Sequence, residues 1–123
     1  CHGGNLICRG ETVIGFIDCD YFSLGPRMLD LAYFATHRVV DTGRPQMERW
    51  LDQLPHLIAG YQSISPLTQQ ERSSLLAMIL SIPVLFAGFY CRAAKPELAI
   101  AQIELLEHLL HHRPAVAGAI AAA

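Results

Sequence analysis

The chain has 123 residues, a formal charge of −2 at pH 7 and no run of basic residues. This length is enough for one domain with a core, and the lack of a basic stretch argues against nucleic acid as a partner. Apolar residues make up 52% of the chain and charged residues only 16%. Because this is an apolar excess for a soluble domain, we expect part of the surface to be covered in a larger assembly.

The first twenty residues predict a β-hairpin. Two short apolar runs, residues 6–8 and 12–17, are separated by the turn-forming residues 9–11, a pattern typical of two antiparallel strands. Asn5 precedes the first strand and Asp18 follows the second, so the pairing brings both side chains to one end of the hairpin. A neighbouring amide oxygen and carboxylate are hard ligands of the kind that Mg²⁺ prefers.

The hairpin is followed by a loop and a first helix. Residues 20–25 predict the loop, and Pro26 suits the first turn of a helix because its missing N–H costs nothing there. The apolar residues from Met28 to Ala35 form a broad stripe, which predicts that the helix is largely buried. Asp30 falls within that stripe, so we expect a buried carboxylate with hydrogen-bonding partners.

The remainder of the chain predicts three further helices. Residues 39–45 form a linker, and a helix over 46–63 is expected to kink at Pro55. After a break at 65–67, a capping box opens a long helix that ends before Pro96, with a second kink near its internal proline. Its apolar stretch falls short of a membrane span. A last helix is expected over 97–112, followed by a frayed tail of small residues. The predicted capping residues are Thr68 and Glu71, and the second kink is expected at Pro83.

Two other groups of residues are candidates for chemistry but have simpler explanations. His108, His111 and His112 share a helix end, where the helix dipole alone favours histidine. The four cysteines show no paired spacing, which favours reduced, mostly buried thiols inside the cell.

Three motifs in order resemble the aminoglycoside phosphotransferase/choline kinase-like family, which shares the protein-kinase fold. That family has H-G-D-x-H-x-G-N, a hairpin, I-D-F-D, and then G-P-x-x-x-D-L-A. Here residues 1–5 match the tail of the first motif and residues 25–32 match the third. Residues 17–20 match the second, with Cys19 where an aromatic residue is usual. The chain resembles homoserine kinase-like and spore-coat-kinase-like members most.

The resemblance implies a role for each motif residue. Asn5 and Asp18 would hold Mg²⁺ against the phosphates of ATP or GTP, with Asp20 as an auxiliary ligand. His2 and Asp30 would brace the catalytic loop. The family's catalytic Asp would lie immediately before the first residue, so no catalytic residue is assigned within this chain, and no nucleotide-binding residue is assigned either. Aromatic residues of the helical part would line the acceptor pocket, and the candidates are Tyr21, Phe22, Tyr33, Trp50 and Tyr90.

The expected fold is α+β and mainly α: a hairpin on about four helices, corresponding to the C-terminal part of a kinase-like large lobe. We expect one partial domain over 1–123, with a metal-site hairpin at 1–20 and a helical subdomain at 21–123. The parent protein would transfer the γ-phosphoryl group of ATP or GTP to a hydroxyl- or amine-bearing metabolite. The isolated chain would be inactive, because the catalytic Asp and the small lobe lie outside it, and it may bind neither Mg²⁺ nor nucleotide.

The alternative hypothesis is a non-catalytic helical module for binding or oligomerisation. An upstream H-G-D motif and a glycine-rich lobe would decide between the two. For either function we expect a cytoplasmic protein without nucleic-acid or membrane partners. We also expect a homodimer or higher oligomer, formed through residues 6–17 or through the helices after Thr68.

Overall fold

The structure, a computed structural model, describes residues 3–18, 24–40 and 47–123. In these residues a two-stranded antiparallel sheet is followed by five α-helices. The predicted α+β, mainly α class is therefore confirmed. The described part contains one helix more than we expected from the sequence.

The hairpin forms where the apolar runs predict it. A 3₁₀ turn, Gly3–Asn5, leads into β1 (Leu6–Arg9), which pairs with β2 (Thr12–Phe16). The turn between the strands contains Gly10 at a φ of +60°, a backbone conformation that glycine adopts without steric cost. The register pairs Leu6 with Phe16. The residues just outside this pair therefore meet at the open end of the hairpin.

The helices are α1 (Met28–Val40), α2 (Met47–Ile64), α3 (Gln69–Arg92), α4 (Pro96–His111) and α5 (Arg113–Ala121). Helix α3 packs against α1 and α4, while α2 packs against α1 and α5. All five helices contribute to one apolar core, whose largest fully buried residues include Leu54, Ile58, Leu75, Ile79, Leu109 and Val116.

Both ends of α3 are fixed by local hydrogen bonds. At its start the predicted capping box is confirmed: the Glu71 N–H donates to the Thr68 hydroxyl, and the Thr68 N–H donates to the Glu71 carboxylate at 2.8 Å. At its end Ala94 has a φ of 53°, and the Lys95 N–H donates to the Tyr90 carbonyl at 2.9 Å. This pattern is that of a helix end closed by a left-handed residue.

The prediction of a frayed tail is wrong, because residues 113–121 form α5. Pro114 stands in the first turn of this helix, where proline is favoured, so it both ends α4 and starts a new helix. Val116 and Ile120 are buried at helical spacing, and α5 packs on α2. Burial of these two side chains explains why a run of small residues is ordered here.

The predicted burial of Asp30 is also wrong, because this residue is exposed. The buried stripe of α1 is narrower than the run of apolar residues indicated, and Asp30 lies beside it on the solvent side. The buried positions are Met28, Leu31, Ala32, Ala35 and Val39, a spacing typical of a single helix face.

Helix α3 is long and apolar enough to cross a membrane by length and composition, with a mean hydropathy of 2.1 in its most apolar window. A single helix of this kind is weak evidence for a membrane span, because core helices of soluble proteins pass the same test. The same helix packs along both α1 and α4, and it contributes Leu75, Ile79 and Ile82 to the core.

The two cysteines that the structure describes, Cys8 and Cys91, are free thiols. Both are exposed rather than buried, so the prediction of mostly buried thiols is wrong for these two residues. Cys8 lies on a strand of the small sheet, whose side chains are largely open to solvent.

Candidate metal centre

The side chains of Asn5 and Asp18 lie together at the open end of the hairpin. The Asn5 Nδ2 group donates to the Asp18 Oδ2 atom at 3.2 Å, across 13 positions of sequence. The Ile17 N–H donates to the Asn5 carbonyl at 3.0 Å, which extends the strand pairing to this point. Asn5 is only 6% exposed, whereas Asp18 is open to solvent. The predicted proximity of these two side chains is confirmed.

The backbone at Asp18 has an unusual conformation for a residue with a side chain. Its φ is 59°, in the left-handed region where most such residues lose roughly 1–2 kcal/mol. Aspartate tolerates this region better than most residues, and conformations of this type concentrate at functional sites. The conformation is an observation, independent of the family motifs, that points to Asp18.

The pair has the donor chemistry of a magnesium site, with one feature that ion binding would have to change. An amide oxygen and a carboxylate are the hard ligands that Mg²⁺ uses, alongside water and phosphate. As placed, the Asn5 amide directs its NH₂ group at Asp18. An ion shared by the two residues would require the amide to turn its oxygen towards the ion, because only that atom carries lone pairs.

A group of four aromatic side chains lies close to this pair, and we call it the aromatic group: Tyr33 of α1 with Phe86, Phe89 and Tyr90 of α3. Tyr33 stacks on Phe86 at 5.2 Å between ring centroids and 12° between planes. Tyr90 lies 6.1 Å from Phe86 and 5.4 Å from Phe89. The four rings therefore form one continuous contact between α1 and α3.

Electrostatics connect the aromatic group to Asp18. The pKa of Tyr33 is raised, chiefly because burial disfavours the phenolate, and further by the negative charges of Tyr90 and Asp18. Because the Asp18 carboxylate acts on the Tyr33 hydroxyl, the two groups lie within electrostatic reach of each other. Helix α1 also contacts the 3₁₀ turn that contains Asn5.

The five candidates for the acceptor pocket divide into three sets. Tyr33 and Tyr90 are half-buried members of the aromatic group. Trp50 is a core residue: it is 3% exposed and its Nε1 group donates to the Ala35 carbonyl at 2.7 Å. Tyr21 and Phe22 lie outside the described residues.

The remaining predicted site residues are not placed at the centre. Cys1, His2 and Asp20 lie outside the described residues. Asp30 is exposed on α1, and its bracing role stays a prediction because residues 1–2 and 19–23 are among those not described.

The three histidines at the end of α4 do not form a metal site. The rings of His111 and His112 are 4.9 Å apart, and His112 Nδ1 lies 2.9 Å from the His108 carbonyl oxygen. Among the described residues, no group of three or more His, Cys, Asp or Glu side chains is arranged to hold a metal ion.

Sequence analysis missed Arg27, whose guanidinium forms a cluster of hydrogen bonds. Its Nε and Nη2 groups donate to the two carboxylate oxygens of Glu71, each at 2.6 Å. Nη2 also donates to the Pro66 carbonyl at 2.7 Å, and Nη1 donates to the Ser65 hydroxyl. The Arg27 hydrogen bond, followed by that of the Thr68 N–H, lowers the pKa of Glu71 to about 2. The capping box signalled Glu71, but nothing local signals a partner 44 positions away.

The comparisons with known proteins agree with this geometry. A family model described as the phosphotransferase enzyme family matches residues 1–67, a range that contains the hairpin, the Asn5–Asp18 pair, α1 and α2. No curated protein and no solved structure matches the chain. Because the matched range covers more than half of the 123 residues, the chain belongs to the phosphotransferase enzyme family.

Proposed function

We propose that this chain carries the metal-holding part of a small-molecule kinase. In the proposed reaction the γ-phosphoryl group of ATP or GTP passes to a hydroxyl or amine group of a small metabolite, with Mg²⁺ as the cofactor. The observation that carries the proposal is the 3.2 Å contact between Asn5 and Asp18, within a segment that matches a phosphotransferase family.

In this proposal Asn5 and Asp18 bind the ion through their side-chain oxygens and fix it at the open end of the hairpin. When bound, Mg²⁺ neutralises the negative charge on the phosphates, which is a main source of catalysis in phosphoryl transfer. The hairpin pairing and the low exposure of Asn5 hold one ligand in place. Asp20 is the proposed auxiliary ligand, and His2 and Asp30 are proposed to brace the neighbouring loop.

We further propose that the aromatic group forms a wall of the acceptor site. Its rings present a half-buried apolar surface with two hydroxyl groups, beside the carboxylate that would hold the ion. Such a surface excludes water and positions a small acceptor next to the transferring group. The general base of the family lies outside this chain by the resemblance, so the purified chain is expected to have no kinase activity.

Calorimetric titration with Mg²⁺ and Mn²⁺, alone and with ATP, tests the proposed site. We expect Asp18→Asn to weaken metal binding by roughly tenfold or more, because it removes the charged ligand. The matched control is Asp52→Asn, which changes an exposed carboxylate on α2 and should leave binding unchanged. Equal metal affinity in the wild type and the Asp18 variant would contradict the proposal and favour the non-catalytic helical module.

A further inference from the structure

Arg27 connects three helix ends at one point. It directly precedes α1, and its guanidinium binds Ser65 and Pro66, which connect α2 to α3, and Glu71 in the first turn of α3. All three nitrogens of the guanidinium donate hydrogen bonds. A planar fork of this kind fixes both distance and orientation, which a lysine cannot do.

Helix α3 is thereby attached to α1 at two separate places. One is the Arg27–Glu71 ion pair at the start of α3. The other is the stack of Tyr33 on Phe86, near the end of α3. Between them, Leu75, Ile79 and Ile82 of α3 belong to the shared core. A helix held at both ends has its rotation and tilt set, because slippage at either place would disturb the other.

We infer that Arg27 is a positioning residue that keeps Phe86 and Tyr90 of α3 against Tyr33, beside Asp18. The inference rests on the proposed function in one respect: the aromatic group matters to the reaction only if Asp18 holds the metal. The geometric part stands on the ion pair and the ring stack. Arg27 touches neither the metal ligands nor the aromatic group in the contacts that the structure describes, so it acts through α3.

The test compares the ring contact and the tyrosine titration in variants of the whole chain. We expect Arg27→Met to weaken the nuclear Overhauser contact between Tyr33 and Phe86. It should also lower the pKa of Tyr33 towards its ordinary value, because a displaced ring is less buried. Carbon-13 labels on the tyrosine rings report both quantities.

Two further variants keep the inference testable if Arg27→Met does not fold. Glu71→Gln removes the charge that holds the guanidinium, and Arg27→Lys keeps the charge but loses the fork, so both should move the Tyr33 signals in the same direction. The matched control is Arg49→Met, an exposed arginine on α2, which should leave them unchanged.

The inference is overturned if the Arg27 and Glu71 variants lower the melting temperature while the Tyr33–Phe86 contact and the Tyr33 titration stay as in the wild type. That result would make the ion pair a stabilising contact without a positioning role. Neither readout involves metal, so a failure of the proposed metal site would not be mistaken for a failure of this inference.

Discussion

The hairpin and the helical part of this protein differ in how their residues are supported. The hairpin has two short strands whose apolar side chains are mostly exposed, from 42% at Ile7 to 64% at Phe16. The helical part has a continuous core with side chains from all five helices. The proposed chemistry thus lies in the thinly supported region, while stability comes from the well-packed one. The two properties should therefore respond separately to substitution.

The largest expected effect comes from a matched pair of isoleucine substitutions. Ile58→Ala removes a fully buried side chain of α2 and should lower the free energy of unfolding by roughly 2–5 kcal/mol. Ile14→Ala changes a strand residue that is 52% exposed and should cost less than about 1 kcal/mol. Urea unfolding followed by circular dichroism measures both. Equal losses would contradict the division between the two regions.

The second prediction concerns the exposed apolar surface, which we expect to pair with a second copy of the chain. Phe16 of the hairpin and Ile103 of α4 are 64% and 48% exposed, more than isolated soluble domains usually leave uncovered over a wide area. Phe16→Asp or Ile103→Asp should shift the mass measured by light scattering towards one chain. Thr12→Asp and Ala101→Asp, at exposed positions of the same elements, are the controls. A wild type that is monomeric at tens of micromolar would refute the prediction.

The third prediction is an acid destabilisation that depends on Glu71. Folding lowers the pKa of this carboxyl from 4.5 to about 2, chiefly through the hydrogen bond from Arg27. A carboxylate of this kind stabilises the fold fully above its unfolded pKa, and the contribution is lost as the pH falls through the folded value. The free energy of unfolding should therefore decrease between about pH 4.5 and pH 2. Glu71→Gln should flatten the curve in this window, and an unchanged slope would count against the ion pair.

The smallest expected effect is a gain in stability at the end of α3. Ala94 has a left-handed backbone with a φ of 53°, which is unfavourable for alanine and acceptable for glycine. Ala94→Gly should raise the free energy of unfolding by roughly 0.5–1 kcal/mol. The neighbouring Ala93→Gly, at a φ of −81°, should bring no gain. Thermal unfolding of the two variants, side by side, measures the difference.

The sequence predicted those features that depend on local patterns. Turn chemistry and strand alternation predicted the hairpin, and the ends of the strands then predicted the contact between Asn5 and Asp18. The capping box predicted the start of α3. The burial of Asp30 was predicted wrongly, because a run of apolar residues does not show where the edge of the buried face lies. The tail was predicted wrongly because Pro114 was taken only as a helix end and the partner surface on α2 was not visible in the sequence.

What escaped prediction depends on contacts between distant segments. The ion pair of Arg27 with Glu71 joins residues 44 positions apart, and the stack of Tyr33 on Phe86 joins two different helices. Neither leaves a periodic signal, since each depends on how the helices cross. The order of the motifs was therefore sufficient to predict the metal pair, whereas the surroundings of that pair required the fold.

The most direct test of the central claim is to map where Mn²⁺ binds on the isotope-labelled chain. Mn²⁺ broadens the resonances of nearby nuclei, so the affected residues locate the ion. We predict that broadening is centred on Asn5, Ile17 and Asp18, extends to Tyr33, and is lost in Asp18→Asn. Broadening centred instead on the histidines at the end of α4, or unchanged in the Asp18 variant, would contradict the claim that the hairpin end is the metal centre.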